Sequence, residues 1–426
     1  MRIPTSAHGS PPPVAVRERN ILIVTAAAHY FTHLYMLVFP SLALTLRPAL
    51  HLPLGEVLLL SFWMYLLYGV GALPAGILSD LLRPRFMLIL CLFGMGSCAL
   101  VASRANSPTS LKWALAGLGL FASIYHPAGM ALISRGVSRR GWAFGFNGAF
   151  GNLGIVSAPF LTGLLAVSVG WRSTYLILGI PSLLFAVVAL FLRVDGYTAE
   201  DISLARGGRG RNKAFAFAIL CVAMMLGGIA YRGQTLVMPA YFEERIAFLV
   251  DAIQRVQWWP ATGTKTVAAT FLTSLAYVAG VFGQMVGGLL ADRYDLRKLY
   301  LLFHGASLPL LYLLGHLANL PLLFVALGYA FFAFGMQPVE NSLVAVLTPP
   351  RLRSTGFGLK FILTFGVGSF AVHLVGRWQQ SSGLAAVFPL LALCILLLLI
   401  SAAILWWVTR HENFFGSART DRSSHE

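Results

Sequence analysis

The chain is dominated by apolar segments of about twenty residues, separated by short loops that carry most of the charges. About twelve such segments, numbered spans one to twelve, lie near 20–46, 55–79, 85–104, 111–134, 141–168, 172–193, 214–240, 267–291, 297–317, 321–348, 354–378 and 383–409. A helix needs about twenty apolar residues to cross a bilayer, where each backbone polar group must be satisfied within the protein. The pattern therefore predicts an all-α membrane protein with twelve transmembrane helices.

The charges favour a membrane protein over a nucleic-acid-binding one. Only 11% of the residues are charged and 58% are hydrophobic, whereas soluble domains carry about 25% charged residues. The net charge of +16 arises mainly in loops of one parity, which the positive-inside rule assigns to the cytoplasm together with both termini. We expect a multi-pass protein of the inner membrane, with the lipid bilayer as a partner and no nucleic acid.

The longest polar stretch, residues 194–213, is rich in glycine and arginine and is expected to be a flexible cytoplasmic linker. The predicted parts are a cytoplasmic N-terminal tail (1–19), an N-terminal six-helix bundle (20–193), the linker, a C-terminal six-helix bundle (214–409) and a cytoplasmic C-terminal tail (410–426). An insertion at 241–266 has apolar residues at helical spacing followed by two tryptophans. It predicts an amphipathic helix on the outer surface, acting either as a connector or as a gating or docking element.

Landmarks of the first half recur in the second. His33 and Arg232 each lie seven residues before a proline, Pro40 and Pro239. Three further pairs recur at separations of 211 to 213 residues: Asp80 with Asp292, His126 with Gln337, and Asn147 with Lys360. Duplicated bundles enclose a common central site, and basic groups inside apolar spans mark a pathway through it. The repeat predicts a two-bundle transporter.

A glycine-to-aspartate motif with basic residues closes spans two and eight. Its members are Gly76, Asp80, Arg83 and Arg85 in the first half and Gly288, Asp292, Arg293, Arg297 and Lys298 in the second. The glycine allows a close helix crossing, and the aspartate can lie against a helix N-terminus and pair with arginine. With the twelve spans and the central linker, the motif resembles the major facilitator superfamily over nearly the whole chain. The resemblance implies a cytoplasmic latch that opens as the halves rock; a simple helix stop is the alternative.

Two segments resemble particular branches of that superfamily. Residues 148–163 of span five carry a ladder of glycines, similar to the antiporter motif of the drug exporters, with Ala158 where a glycine is expected. Close helix packing is the alternative interpretation of this ladder. The His126-Pro127 pair in span four resembles the fosmidomycin-resistance branch, which implies proton-driven export of small, anionic molecules.

Polar side chains inside the spans are the candidates for a substrate and proton pathway. They are His29, His33, His126, Asn147, Arg232, Gln234, Gln337, Glu340, Asn341 and Lys360. In the superfamily, spans one, four, seven and ten border the cavity, and the resemblance implies that the members on those spans face it.

Glu340 is the leading candidate for proton coupling, because a carboxylate in a site of low dielectric can bind and release a proton as access alternates. A static ion pair with Lys360 is the alternative. Arg232 and Lys360 could instead hold an anionic substrate, the arginine in a bidentate manner. His29 and His33 share a helix face and, with His126, could bind a metal, relay protons or pack.

No nucleophile constellation, phosphate-binding loop or dinucleotide fingerprint occurs in a polar segment, so neither an enzyme nor a cofactor other than the proton gradient is expected. We predict a monomeric, proton-coupled secondary transporter that exports a small solute or drug by alternating access, with an anion as a candidate substrate. Uptake of an organic anion or a transition metal is the alternative within transport. A receptor or assembly scaffold that transports nothing is the alternative from another class.

Overall fold

The computed structural model describes residues 14–52, 56–57, 60–194, 211–255, 265–367, 374–375, 378 and 381–411. Its helices are α1 (Val14–Leu50), α2 (Phe62–Val70), α3 (Ala72–Leu81), α4 (Pro84–Ser103), α5 (Pro108–Ala122), α6 (Tyr125–Gly136), α7 (Arg140–Phe191), α8 (Arg211–Arg245), α9 (Ala247–Gln254), α10 (Lys265–Ala291), α11 (Leu296–Leu314), α12 (Asn319–Leu347), α13 (Arg353–Phe361) and α14 (Val387–Val408). A short 3₁₀ turn, Pro350–Leu352, precedes α13, and a π-helical turn, Ile362–Gly366, follows it. The described residues contain no β-strand, so the fold is all α, as the sequence predicts.

Each predicted span coincides with helix in the described ranges. Among those ranges, eight helical stretches are long and apolar enough to cross a membrane, and the bent pair α2–α3 raises the number to nine. Spans five, nine and eleven fall on the first part of α7, on α11 and on α13. The helices therefore follow the segments that hydropathy marks out.

Glycine and proline break the helices at defined places. Inside α7, Gly170 has φ 82° and ψ 162°, a conformation that favours glycine, and it divides spans five and six. Span two bends by 43° at Gly71 between α2 and α3. Span four breaks between α5 and α6. Pro127 lacks an N–H there, and in a regular helix its ring would clash with the carbonyl of Ser123, four residues earlier. The two breaks meet, because a Cβ on Gly71 would lie 2.6 Å from Ser123 Oγ.

Several domain boundaries differ from the predicted ones. Helix α1 begins at Val14, so the predicted N-terminal tail contributes its last residues to a helix. Helix α8 extends at both ends, into the predicted linker and into the insertion. The insertion continues as α9, with Ile246 buried before it and Phe248 exposed on it. Residues 1–13, 195–210, 256–264 and 412–426 lie outside the described residues.

Two of the helix pairs that join the halves are related by the repeat. Helix α3 packs on α13, and α7 packs on α10. A Cβ on Gly76 would lie 2.5 Å from a backbone oxygen of α13, and one on Gly288 would lie 2.5 Å from a backbone oxygen of α7. These crossings lie at the end of the molecule that holds Asp80 and Asp292, called the aspartate end below. The positive-inside rule predicts this end to be cytoplasmic.

Candidate functional site

A cavity between the two halves is lined by side chains from both. Its polar lining includes His29, His33, His126, Asn152, Gln284, His304, Gln337, Glu340, Asn341 and Lys360. Seven of the ten predicted pathway residues therefore line one space. The other three, Asn147, Arg232 and Gln234, are not part of this lining in the described chain.

The second half contributes a buried ion pair. Glu340 on α12 and Lys360 on α13 approach to 2.9 Å between Oε1 and Nζ, and both side chains are only about 5% exposed. Tyr300 on α11 donates its hydroxyl to the other carboxylate oxygen at 2.8 Å. Lys360 also donates to Asn341 Oδ1 at 2.5 Å. Each charge is thus paired and hydrogen-bonded, as a buried ion pair requires.

The first half contributes three imidazoles in mutual contact. His29 and His33 on α1 face each other with 3.1 Å between their Nε2 atoms. The Nδ1 atom of His29 lies 2.8 Å from the backbone oxygen of Asn147. His126 on α6 lies 2.9 Å from the hydroxyl of Tyr68 through its Nε2 atom. The histidines named from the sequence therefore form one cluster on the first-half wall.

Asn147 and Gln234 lie behind the cavity wall. Asn147 is fully buried on α7 and accepts a hydrogen bond from the Tyr125 hydroxyl at 2.5 Å. Gln234 on α8 is buried and donates to the hydroxyl of Tyr277 over 3.4 Å. Both side chains therefore hold neighbouring helices rather than face the open space.

Arg232 lies half-buried on α8, beside the cavity. Its charge acts electrostatically on His33, Tyr65 and Tyr68 of the first half. Its guanidinium forms no hydrogen bond or ion pair with any residue of the described ranges. Among the described residues, Arg232 therefore has no counter-ion, whereas Lys360 is paired with Glu340.

Asp80 joins the first half to the second at the aspartate end. Its carboxylate accepts the backbone N–H groups of Ser354 and Thr355 at 3.0 and 2.7 Å, and the Thr355 hydroxyl at 2.7 Å. It also pairs with Arg135 at 2.6 Å. The first-half aspartate thus caps the N-terminus of the second-half helix α13, where a negative charge is favourable.

Asp292 makes the reciprocal contact. It accepts the backbone N–H groups of Gly141 and Trp142, at the start of α7, over 2.8 and 2.9 Å. Arg139 lies 3.7 Å away and is 54% exposed. Each half therefore caps one helix of the other, and the ion pair of Asp80 with Arg135 is shorter than the contact of Asp292 with Arg139.

The basic members of the motif make other contacts in the described structure or are exposed. Arg85 donates to the backbone oxygen of Leu190 at 2.6 Å. Arg297 binds the Asp295 carboxylate and the backbone oxygen of Thr409, because it sits two residues from Asp295 on the first turn of α11. The exposed members are Arg83, Arg293 and Lys298. The aspartates are paired instead by arginines of the loop between α6 and α7 and its flanks, which sequence reasoning assigned only to topology.

Asp295 lies outside the spans, where it caps α11. Burial raises the pKa of its carboxyl, but the hydrogen bonds and the charge of Arg297 outweigh burial and hold the pKa below its ordinary value. Asp295 is therefore charged in the folded protein and stabilises the start of α11.

The cavity lining and its hydrogen-bond partners include residues that sequence reasoning missed. Tyr300 and Tyr68 bond the predicted Glu340 and His126, yet a tyrosine in an apolar run is indistinguishable from a core aromatic. Gln284 donates to Gln337 at 3.2 Å. As an amide inside an apolar span, Gln284 carried a signal that could have identified it.

The glycine ladder of α7 has a packing explanation. A Cβ on Gly148 would overlap the Gln284 side chain, and one on Gly151 would lie 2.4 Å from the His29 ring. A Cβ on Gly154 would lie 2.4 Å from a backbone oxygen of α1. These three glycines let α1 and α10 approach α7 next to the cavity.

Comparison with known proteins places the chain among membrane transporters. The family model described as Major Facilitator Superfamily matches residues 22–372. The proton:xylose symporter XylE has a similar structure, with a TM-score of 0.72 and 15% identity over 93% of this chain and 96% of that one. At that identity, the likeness shows the fold, which agrees with the predicted two-bundle architecture.

The relatives found by sequence are named for different substrates. The "Probable L-galactonate transporter" of Escherichia coli is 27% identical over 146 residues, which span 34% of this chain and 32% of that protein. The 4-hydroxybenzoate transporter PcaK of Pseudomonas aeruginosa is 26% identical over 72% of this chain and 73% of its own length. The multidrug efflux pump Tap of Mycolicibacterium fortuitum is 24% identical over 68% of this chain and 71% of its own length. The resemblance to the fosmidomycin-resistance branch stays a prediction.

Proposed function

This chain belongs to the Major Facilitator Superfamily, and we propose that it is a proton-coupled secondary transporter that moves a small organic anion by alternating access. As a superfamily member it is a multi-pass membrane transporter and not an enzyme. We further propose a monomer in the inner membrane with both termini in the cytoplasm. The observation that carries the proposal is the Glu340–Lys360 ion pair inside a cavity shared by the two halves.

The cations of the second half favour an anionic solute. Lys360 lines the cavity, and Arg232 lies beside it with no described partner for its guanidinium. A planar guanidinium suits a carboxylate, because two N–H groups can bond two oxygens at once. Two of the relatives above are named for organic anions, L-galactonate and 4-hydroxybenzoate.

The ion pair supplies a route from anion binding to proton binding. A solute carboxylate that engages Lys360 competes with Glu340 for the same ammonium group. Glu340 would then be a buried charge without its counter-ion, which costs about 3–5 kcal/mol. A proton on Glu340 removes that cost, so the anion and the proton bind together.

The direction of transport has two candidates. Export is favoured by the resemblance of residues 148–163 to exporter sequences and by the relative named as an efflux pump. Uptake is favoured by the shared Lys360, because an anion and a proton that bind together move together down an inward proton gradient. The packing contacts of Gly148, Gly151 and Gly154 account for the glycine ladder in either case.

The reciprocal contacts of Asp80 and Asp292 suit a gate at the aspartate end. Each contact joins one half to the other and depends on backbone N–H groups at a helix start. Rocking the halves apart would break both sets at once and expose the cavity to that side. We propose that these contacts hold this side closed while the solute enters from the other.

The test uses purified protein in liposomes with a proton gradient, acid outside. Benzoate, 4-hydroxybenzoate and galactonate serve as probes, and a pH-sensitive dye follows internal protons. Solute accumulation together with proton entry supports uptake, and loss of preloaded solute together with proton entry supports export. If none of the probes crosses the membrane and none changes proton movement, the result would favour the receptor or scaffold and contradict the proposal.

A further inference from the structure

We infer that His29, His33 and His126 form a binding site for a divalent transition-metal ion inside the cavity. One nitrogen from each ring can be chosen so that all three lie within 4.8 Å of one another. Zn²⁺ holds imidazole nitrogens at about 2.1 Å, which places ligands of a tetrahedron about 3.4 Å apart. The Nε2 atoms of His29 and His33, at 3.1 Å, are already close to that separation. A shift of at most about 1.4 Å in the third ring, from 4.8 Å to the tetrahedral separation, completes the set.

The hydrogen bond of His29 presets its ring as a ligand. A backbone oxygen only accepts, so the 2.8 Å contact to Asn147 requires that Nδ1 of His29 carries the proton. In the neutral ring, Nε2 then carries a lone pair, and this atom faces His33. Metal-binding histidines usually donate their second ring nitrogen to a carbonyl or carboxylate in this way, which fixes ring orientation.

His126 provides an independent indication of a missing partner. The ring is 5% exposed and lines the cavity. Its Nε2 atom meets the Tyr68 hydroxyl, while its Nδ1 atom is buried without a hydrogen-bond partner among the described residues. Phe361 stacks on the ring with centroids 4.0 Å apart. A buried ring nitrogen without a partner is costly, and a metal ion would satisfy it.

The surrounding charges and the type of ligand atom limit which ion can bind. Arg232 acts on His33 and Lys360 acts on His126, so two cations oppose a metal ion. The charge of Lys360 is balanced by Glu340 at 2.9 Å. Mg²⁺ and Ca²⁺ need several oxygen ligands, which three imidazoles do not supply. The set suits Zn²⁺, Cu²⁺, Ni²⁺ or Co²⁺, with a fourth position open to the cavity.

Occupancy of the site should also block solute movement. The ion would tie α1 to α6 and fill the first-half wall of the cavity. This consequence rests on the proposed transport function, whereas metal binding itself does not.

The experiment is a calorimetric titration of Zn²⁺ into purified full-length protein with any affinity tag removed. Wild type should bind one ion per chain. His33→Gln, at a partly buried position, should weaken binding at least tenfold. His304→Gln is the matched control, because His304 lines the same cavity outside the triad, and its Zn²⁺ affinity should stay within twofold of wild type. His126→Gln replaces His33→Gln if the latter fails to fold, as judged by its elution profile and unfolding temperature without metal.

The site is refuted if wild type shows no saturable binding, or if folded His33→Gln and His126→Gln bind as wild type does. Equal losses in His304→Gln and His33→Gln would also contradict it. In liposomes, Zn²⁺ should inhibit anion movement by wild type, and removal of the ion with a chelator should restore it. Binding of Zn²⁺ by a protein that moves none of the anions would overturn the proposed function and leave the metal site standing.

Discussion

Spans four and five in the first half and spans ten and eleven in the second are equivalent helix pairs, but different kinds of contact join them. In the first half, Tyr125 of span four donates to Asn147 of span five at 2.5 Å, a neutral contact. In the second half, Lys360 takes the place of Asn147 and pairs with Glu340 of span ten at 2.9 Å. The contact between the two spans is therefore neutral in the first half and ionic in the second. Only the ionic contact contains a carboxylate that can bind a proton when its lysine partner binds a solute instead.

The two cavity walls also differ in the kind of side chain that they present. The first-half wall presents His29, His33 and His126, whose rings contact one another, while the second-half wall presents the ion pair. We interpret the second half as the part that couples a proton to a solute. The first half then contributes hydrogen bonding and, when occupied, the proposed metal site.

The largest expected effect is on the free energy of unfolding, and it should be greater for loss of the ionic contact than for loss of the neutral one. Lys360→Met leaves the carboxylate of Glu340 buried without a counter-ion and should lower the free energy of unfolding by about 3–5 kcal/mol. Asn147→Leu, at the matching position, removes one neutral hydrogen bond and should cost about 1–2 kcal/mol. Reversible unfolding by SDS in mixed micelles measures both.

The double variant Lys360→Met with Glu340→Gln serves as the control for that comparison. It removes both charges and should recover most of the lost stability, because no unpaired ion remains. Equal losses in Lys360→Met and Asn147→Leu would contradict the contrast between the two contacts.

Arg232 tests whether the charge without a described partner serves a ligand. Arg232→Gln should change the free energy of unfolding by less than about 0.5 kcal/mol and weaken anion binding at least tenfold, since a charge-assisted hydrogen bond contributes about 1.5–3 kcal/mol. Titration with benzoate and 4-hydroxybenzoate measures the binding. Arg293→Gln, at an exposed loop position, is the matched control and should bind as wild type does. A stability loss in Arg232→Gln without a change in anion affinity would assign the arginine to the fold.

The two aspartates extend the comparison to the aspartate end. Asp80→Asn should lower stability by about 2 kcal/mol, because Asp80 accepts three hydrogen bonds from α13 and pairs closely with Arg135. Asp292→Asn should cost about 1 kcal/mol, because Asp292 accepts two hydrogen bonds from α7 and Arg139 lies 3.7 Å away and is exposed. Thermal unfolding in detergent gives the ranking. A larger loss in Asp292→Asn would show that the distances do not set the strength of these contacts.

The smallest expected effect is a dependence of stability on pH at Asp295. Because the folded pKa of Asp295 is lowered, its contribution is present above the unfolded pKa of about 3.9 and is lost as the pH falls through the folded value. Unfolding measured from pH 6 down to about pH 3 should therefore decline less steeply in Asp295→Asn than in wild type. An equal slope in both would indicate that other carboxyls dominate the acid response.

Much of the fold could be predicted because a bilayer constrains length and composition. The helices follow the hydropathy pattern, and the break before Pro127 follows from the missing N–H. The bend at Gly71 could not be predicted, since other glycines in the apolar segments lie in unbroken helix. At this bend a Cβ on Gly71 would lie 2.6 Å from Ser123 Oγ, a close approach between distant parts of the chain.

The candidate site was predictable where a residue type was rare in its surroundings. Glu340 and Lys360 stand out as opposite charges inside apolar spans, so their proximity could be considered from sequence. Tyr300 could not be identified, because a tyrosine in a span has the same pattern as a packed aromatic. Arg135 also could not be assigned to Asp80, because a loop arginine carries no local sign of which distant carboxylate it meets.

The most direct test of the central claim is proton-coupled anion accumulation by Glu340→Gln in proteoliposomes. Exchange of labelled for unlabelled 4-hydroxybenzoate without a gradient is measured beside it, and Glu244→Gln, an exposed glutamate, is the matched control. If Glu340 carries the coupling proton, Glu340→Gln loses gradient-driven movement but keeps exchange, and Glu244→Gln keeps both. Gradient-driven movement by Glu340→Gln at the wild-type rate would contradict the account.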